Sequence, residues 1–136
     1  MTITGTFERT RAADELALLA YVTGGFPTRD AWTGVLEAVV GGGADVVEIG
    51  VPFSDPVADG PTIQHAAHEA LLGGATLRGL LEDLARVPGD VPRVIMSYLN
   101  PLLALRPGEL WELMRAARVS GLIVPDLPAD EAAAWS

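Results

Sequence analysis

Glu48 and Asp59 are the side chains whose type and setting point most directly to chemistry. Glu48 puts a single charge into the β-branched run V-V-E-I-G-V, from Val46 to Val51. Side chains alternate along a strand, so Val46, Glu48 and Gly50 share one face and Val47, Ile49 and Val51 the other. In a parallel sheet covered on both sides, neither face opens to bulk water. An unpaired carboxylate buried there is costly, unless its pKa rises and it keeps a proton. A carboxyl tuned in that way suits general acid–base work near neutral pH. A strand-end glutamate that pairs with arginine or reaches solvent fits the same pattern.

Asp59 ends the loop P-F-S-D-P-V-A-D that follows this strand. Strand ends and the loops after them are where parallel α/β enzymes place their reacting groups. Asp55 and Asp59 also suit plainer roles, bonding to loop N–H groups or capping the next helix. Tyr98, at the end of R-V-I-M-S-Y, can stack on a flat aromatic ligand. It equally suits a core position with its hydroxyl paired. His65 and His68 are spaced to share a helical face, but two histidines are an incomplete metal-ligand set. No metal site is expected.

The elements that must hold these groups alternate between strand and helix. Thr2–Ala13 is polar around Phe7 and fits a short leading helix. Leu16–Thr23 reads as a first buried strand, running into Gly24-Gly25-Phe26-Pro27. Thr28 caps a helix to about Val40, with Trp32, Val35, Leu36 and Val39 at core spacing. Gly41-Gly42-Gly43 follows that helix and precedes a strand, so it ends the helix; phosphate loops have the opposite order. After the Val46 strand, Pro61 opens a helix to Leu72, and Leu77–Ala85 forms another beyond Gly73-Gly74, with Leu80, Leu81 and Leu84 facing inward. Arg93–Tyr98 is the third strand, Leu110–Ala117 a helix and Gly121–Pro125 the fourth strand. Pro128-Ala129-Asp130-Glu131 begins a last helix.

Composition narrows the function. The 136 residues carry a net charge of −9, against nucleic-acid binding, which cationic patches support. Every basic residue is arginine, so this chain holds neither a Schiff-base lysine nor a P-loop lysine. Cysteine is absent, which removes disulfides and thiol nucleophiles and fits a cytoplasmic protein. No apolar run reaches membrane-spanning length, and the start lacks the pattern of a signal peptide.

The run E-I-G-V-P-F-S-D-P-V-A-D-G-P-T-I-Q resembles the signature of the tryptophan synthase alpha chain family. A-Y-V-T-G-G-F-P before it, and M-S-Y-L-N-P and G-L-I-V-P-D-L-P after it, extend the likeness along the chain. The resemblance implies an α/β fold, the (β/α)₈ TIM barrel. A complete barrel needs about 200–250 residues or more, so residues 1–136 are expected to form one partial barrel of about four β/α units with a parallel sheet. The implied reaction is retro-aldol cleavage of indole-3-glycerol phosphate to indole and glyceraldehyde 3-phosphate. Glu48 matches the family's general acid–base, and Asp59 the carboxylate that holds the indole N–H. Tyr98 matches a residue lining the indole pocket, and Tyr21 stands where the family has an aromatic. Pro52 and Asp55 in the loop, and the Asn100-Pro101 corner, match surfaces facing the beta chain. That partner carries pyridoxal phosphate and is expected as two alpha and two beta chains; no cofactor is expected in this chain.

The same resemblance places the phosphate-binding loops, and a mobile loop that closes over Asp59's position, in later units. Without them the chain is expected to be inactive alone, or nearly so, and to self-associate through open strand edges. Its alternative role is a non-catalytic piece that only presents Pro52–Gly60 to the beta chain. A weaker third reading is another barrel enzyme acting on a phosphorylated, sugar-like substrate.

Overall fold

The computed structural model describes residues 1–135. Four strands form one parallel sheet in sequence order: β1 (Leu19–Thr23), β2 (Val46–Gly50), β3 (Arg93–Met96) and β4 (Val119–Ile123). Between them run α2 (Trp32–Gly41), α3 (Pro61–Leu72), α4 (Leu77–Arg86), the one-turn α5 (Leu99–Leu103) and α6 (Pro107–Ala116). The leading helix α1 (Ile3–Ala12) begins where Thr2 Oγ1 accepts the Gly5 N–H at 3.0 Å.

Side-chain alternation divides the sheet. Val22, Val47, Ile49, Val51 and Ile95 pack on Trp32 and Leu36 of α2, Leu80, Leu81 and Leu84 of α4, and Leu110 and Met114 of α6. This outer layer is the core; burying each large aliphatic side chain contributes about 1.5–3 kcal/mol. The opposite, inner face carries Leu19, Tyr21, Val46, Glu48, Gly50 and Val94. It is less sealed: Leu19 and, on β4, Ile123 are exposed.

Several boundaries differ from the sequence reading. β1 starts at Leu19, not Leu16, because pairing begins where the Leu18 carbonyl accepts the Asp45 and Val46 N–H groups. Leu16 itself is 95 % exposed. Thr28 caps only a preliminary turn, and α2 proper begins at Trp32; Val35 is exposed rather than core. Asn100 and Pro101 lie inside α5 rather than at a bare corner, with Asp126 accepting the Leu99 N–H at 2.8 Å. β3 stops at Met96, α6 starts at Pro107, and β4 is displaced two residues toward the amino terminus. Pro128–Glu131 forms a turn before a 3-10 segment, Ala132–Trp135, instead of opening an α-helix. The glycine readings hold: Gly43 and Gly74, each just past a helix end, take left-handed φ of 102° and 81°.

Arg93, the first residue of β3, organises one end of the sheet. It is buried on the outer face, and its guanidinium donates to the carbonyls of Leu84 (2.9 Å), Val87 (2.6 Å), Pro88 (3.1 Å) and Ala117 (3.1 Å). These acceptors lie at and just past the carboxyl ends of α4 and α6, where a cation also meets the negative ends of the helix dipoles. Burial, with a smaller contribution from Arg118, lowers the Arg93 pKa. Asp45 plays the matching role near α1, accepting the Leu18 N–H at 2.9 Å and pairing with Arg9. Those two contacts, the Leu18 N–H first, lower its pKa.

Candidate active site

The carboxyl ends of the strands converge on one small cavity. Tyr21 and Thr23 line it from β1, Val51 and Pro52 from beyond β2, and Met96, Ser97 and Tyr98 from the end of β3. Pro125 contributes from beyond β4, and Asp59 closes it from the loop before α3. Its volume is about 10 Å³, room for about one water molecule.

Glu48 lies on the inner face, half-buried, two residues before Gly50. It is not among the cavity's lining residues. The register pairs it with Tyr21 on one side and Val94 on the other. Tyr21 is thus the neighbour common to both acids: it pairs with Glu48 in the sheet and lines the same cavity as Asp59. Burial raises its phenol pKa; the Thr23 hydroxyl opposes that, and the charges of Asp59 and Glu48 add to it.

Gly50 explains where the Tyr21 ring sits. A Cβ at Gly50 would fall 1.9 Å from the Tyr21 hydroxyl oxygen and 2.6 Å from Cζ. The phenol therefore rests on bare backbone, and only glycine leaves that space open.

Asp59 is not the helix cap that the sequence also allowed. Gly60 is the N-cap of α3, without a side-chain bond, and Pro61 opens the helix. The Asp59 main-chain carbonyl instead accepts Gln64 Nε2 at 2.8 Å, which leaves its carboxylate for the cavity. Tyr98 is 4 % exposed, its ring packed on Phe53 at a centroid distance of 5.3 Å. Its hydroxyl accepts the Ala58 N–H at 2.9 Å. Burial above all, opposed by Ala58 and aided by Asp59, raises the Tyr98 pKa. Tyr98 is thus a buried aromatic with its hydroxyl paired that also lines the cavity, and that hydroxyl holds the residue beside Asp59.

The outward-facing candidates separate into two groups. Asp55 is exposed and accepts the Ser54 hydroxyl at 2.7 Å, and Asn100 is exposed on α5. Pro52 is buried in the cavity wall, and Pro101 is partly buried. His65 and His68 are exposed, and no cluster of three metal-ligating side chains occurs among the described residues. No helix among them is long and apolar enough to cross a membrane.

A parallel sheet of four strands in sequence order, with helices on its outer face and a cavity at the strands' carboxyl ends, is an incomplete (β/α)₈ barrel. The sequence profile of one family, described as tryptophan synthase alpha chain, matches residues 7–136, and the chain belongs to that family. It is 43 % identical over 127 residues to the tryptophan synthase alpha chain of Methanosarcina acetivorans and 45 % identical over 129 to that of Alkalilimnicola ehrlichii. Each alignment covers 93 % of this chain but 47 % of the relative. The chain thus spans about half the length of the curated relatives it matches and corresponds to their amino-terminal part. Among solved structures, the alpha subunit from Legionella pneumophila superposes with a TM-score of 0.91 at 33 % identity, over 97 % of this chain and 52 % of that one. Tryptophan synthase from M. tuberculosis in its aminoacrylate-bound form gives 0.89 at 38 % identity, over 97 % and 54 %.

Proposed function

We propose that this chain is the catalytic-acid half of a cytoplasmic tryptophan synthase alpha-type lyase, acting on indole-3-glycerol phosphate. Glu48 serves as general acid–base, protonating the indole carbon that bears the side chain as the retro-aldol step breaks the bond. Asp59 holds the indole N–H and stabilises positive charge developing on the ring, an effect strengthened where water is excluded. Tyr21 and Tyr98 belong to the same pocket, Tyr98 by holding the loop beside Asp59. The observation that supports this reading is the position of Tyr21, paired with Glu48 in the strand register and lining the same cavity as Asp59.

The beta chain is the proposed partner, in an assembly of two alpha and two beta chains. Asp55, Asn100 and the neighbouring loop form the facing surface. Pyridoxal phosphate belongs to the beta chain, and no cofactor is assigned here. A cavity of about 10 Å³ is far below the roughly 300 Å³ or more of small-molecule sites. Without the phosphate-binding loops that the resemblance places in later units, residues 1–136 by themselves are proposed to have little activity.

The test replaces the amino-terminal half of a full-length relative with residues 1–136 and measures indole release with beta chain present. Glu48→Gln should lower the rate roughly 100- to 10,000-fold, the usual scale for losing an acid–base group. Unchanged cleavage in that variant would sink the assignment. A second, non-catalytic reading draws on Val57, 86 % exposed in the loop after β2. Altered beta-chain activity on adding the 136-residue chain, with no indole release from the chimera, would favour it.

A further inference from the structure

Gln64 stands in the first turns of α3, five residues beyond Asp59, and is exposed. It is not among the residues that line the cavity. We propose that Gln64 is a positioning residue for Asp59: its side-chain amide clamps the loop before α3 and so fixes where the Asp59 carboxylate stands. This inference deepens the lyase reading above and rests on it for the role of Asp59.

One nitrogen makes the clamp. Gln64 Nε2 donates to the Asp59 main-chain carbonyl at 2.8 Å and reaches that of Pro56 at 3.5 Å. The Pro56 carbonyl also accepts the Asp59 N–H at 3.1 Å, so both main-chain polar groups of Asp59 are held. The two groups facing the amide are carbonyls, which accept only, so the amide must turn its NH₂ toward the loop. An ionised glutamate in the same place has no proton to give and could not replace it.

The support behind the amide is fixed at both ends. The Gln64 N–H donates to the carbonyl of Gly60, the N-cap of α3, at 3.0 Å. Ala66, Ala67 and Ala70 of the same helix are buried, and Ile63 and Ala67 line the cavity beside Asp59. On the other side of the loop, the Tyr98 hydroxyl holds the Ala58 N–H. Tyr98 thus ties residue 58 to the end of β3, and Gln64 ties residue 59 to α3. A side chain goes where its backbone goes, so anchors on two adjacent residues set the aim of the carboxylate. Small displacements of a group that must meet developing charge cost rate.

The test uses the chimera described above, with beta chain present. Indole release is measured for Gln64→Met, Asp59→Asn and the two together. Methionine keeps the length and removes the donors. Gln64→Met should lower kcat about 3- to 10-fold, the scale of one hydrogen bond, and leave KM within about twofold. Gln64→Glu should do the same. Because Gln64 acts through Asp59, adding Gln64→Met to Asp59→Asn should lower kcat no further. An unchanged kcat, or a full multiplicative loss in the double variant, would overturn the proposal. A lower melting temperature with kcat intact would make the amide a helix brace and overturn it too. Amide exchange at the Asp59 N–H reads the clamp without any reaction: it should quicken in Gln64→Met, and unaltered exchange counts against the clamp. Failure of the lyase reading shows separately, as unchanged cleavage in Glu48→Gln.

Discussion

The Tyr98 hydroxyl takes the Ala58 N–H while lying close to Asp59, so one oxygen fixes the loop that carries the second acid. Tyr98→Phe should leave that N–H without its acceptor and cost about 0.5–1.5 kcal/mol, read from the urea midpoint. Amide exchange at Ala58 should quicken in the same variant. Gly50→Ala should drive the Tyr21 phenol off its seat, since the new methyl occupies the hydroxyl's place. The obstacle is the far end of a side chain, so the stability cost should stay near about 1–2 kcal/mol while a crystal structure shows Tyr21 in another rotamer. Both tyrosines have raised pKa values in the folded chain. The folded state therefore keeps the phenolic proton to higher pH than the unfolded state, whose tyrosines ionise near about 10. Stability is fully present below that pH and falls as pH rises through the folded values. A urea midpoint that drops from about pH 9 to pH 11, and drops less in Tyr21→Phe, would bear this out.

At the scale of elements, buried polar contacts join what the hydrophobic pattern only delimits. Arg93 ties the ends of α4 and α6 to the start of β3 through four carbonyls. Arg93→Met should strand buried acceptors and cost about 3 kcal/mol, with Lys recovering only part because one ammonium cannot span all four. Chemical denaturation of the three proteins measures the order. Asp45 joins α1 to the starts of β1 and β2, and its lowered pKa sets the sign of its pH effect. Its contribution is present above the ordinary carboxylate value of 3.8 and is lost as pH falls through the lower folded value. Asp45→Asn should thus be less stable than the parent at neutral pH, with the gap narrowing in acid. The strands and most helices were legible because their apolar spacing is periodic. Helix α5 was not: five residues with a proline inside give no period, and its N–H partner, Asp126, lies 27 residues away.

Across the molecule, the sheet has the parallel order of a barrel, and its main apolar cluster lies between the outer face and the helices, with Val46 and Val94 buried on the inner face. The inner face, where Glu48 stands, remains partly open at both edges. The sequence by itself determined the family and the parallel α/β class, because the motif is contiguous and strand alternation fixes which residues share a face. Tertiary structure alone decided that Tyr21 pairs with Glu48 and lines the same cavity as Asp59, that Pro52 is buried in the cavity wall, and that Arg93 is buried. Each depends on groups far apart in the chain meeting across strands or helix ends, and local periodicity carries no record of such meetings.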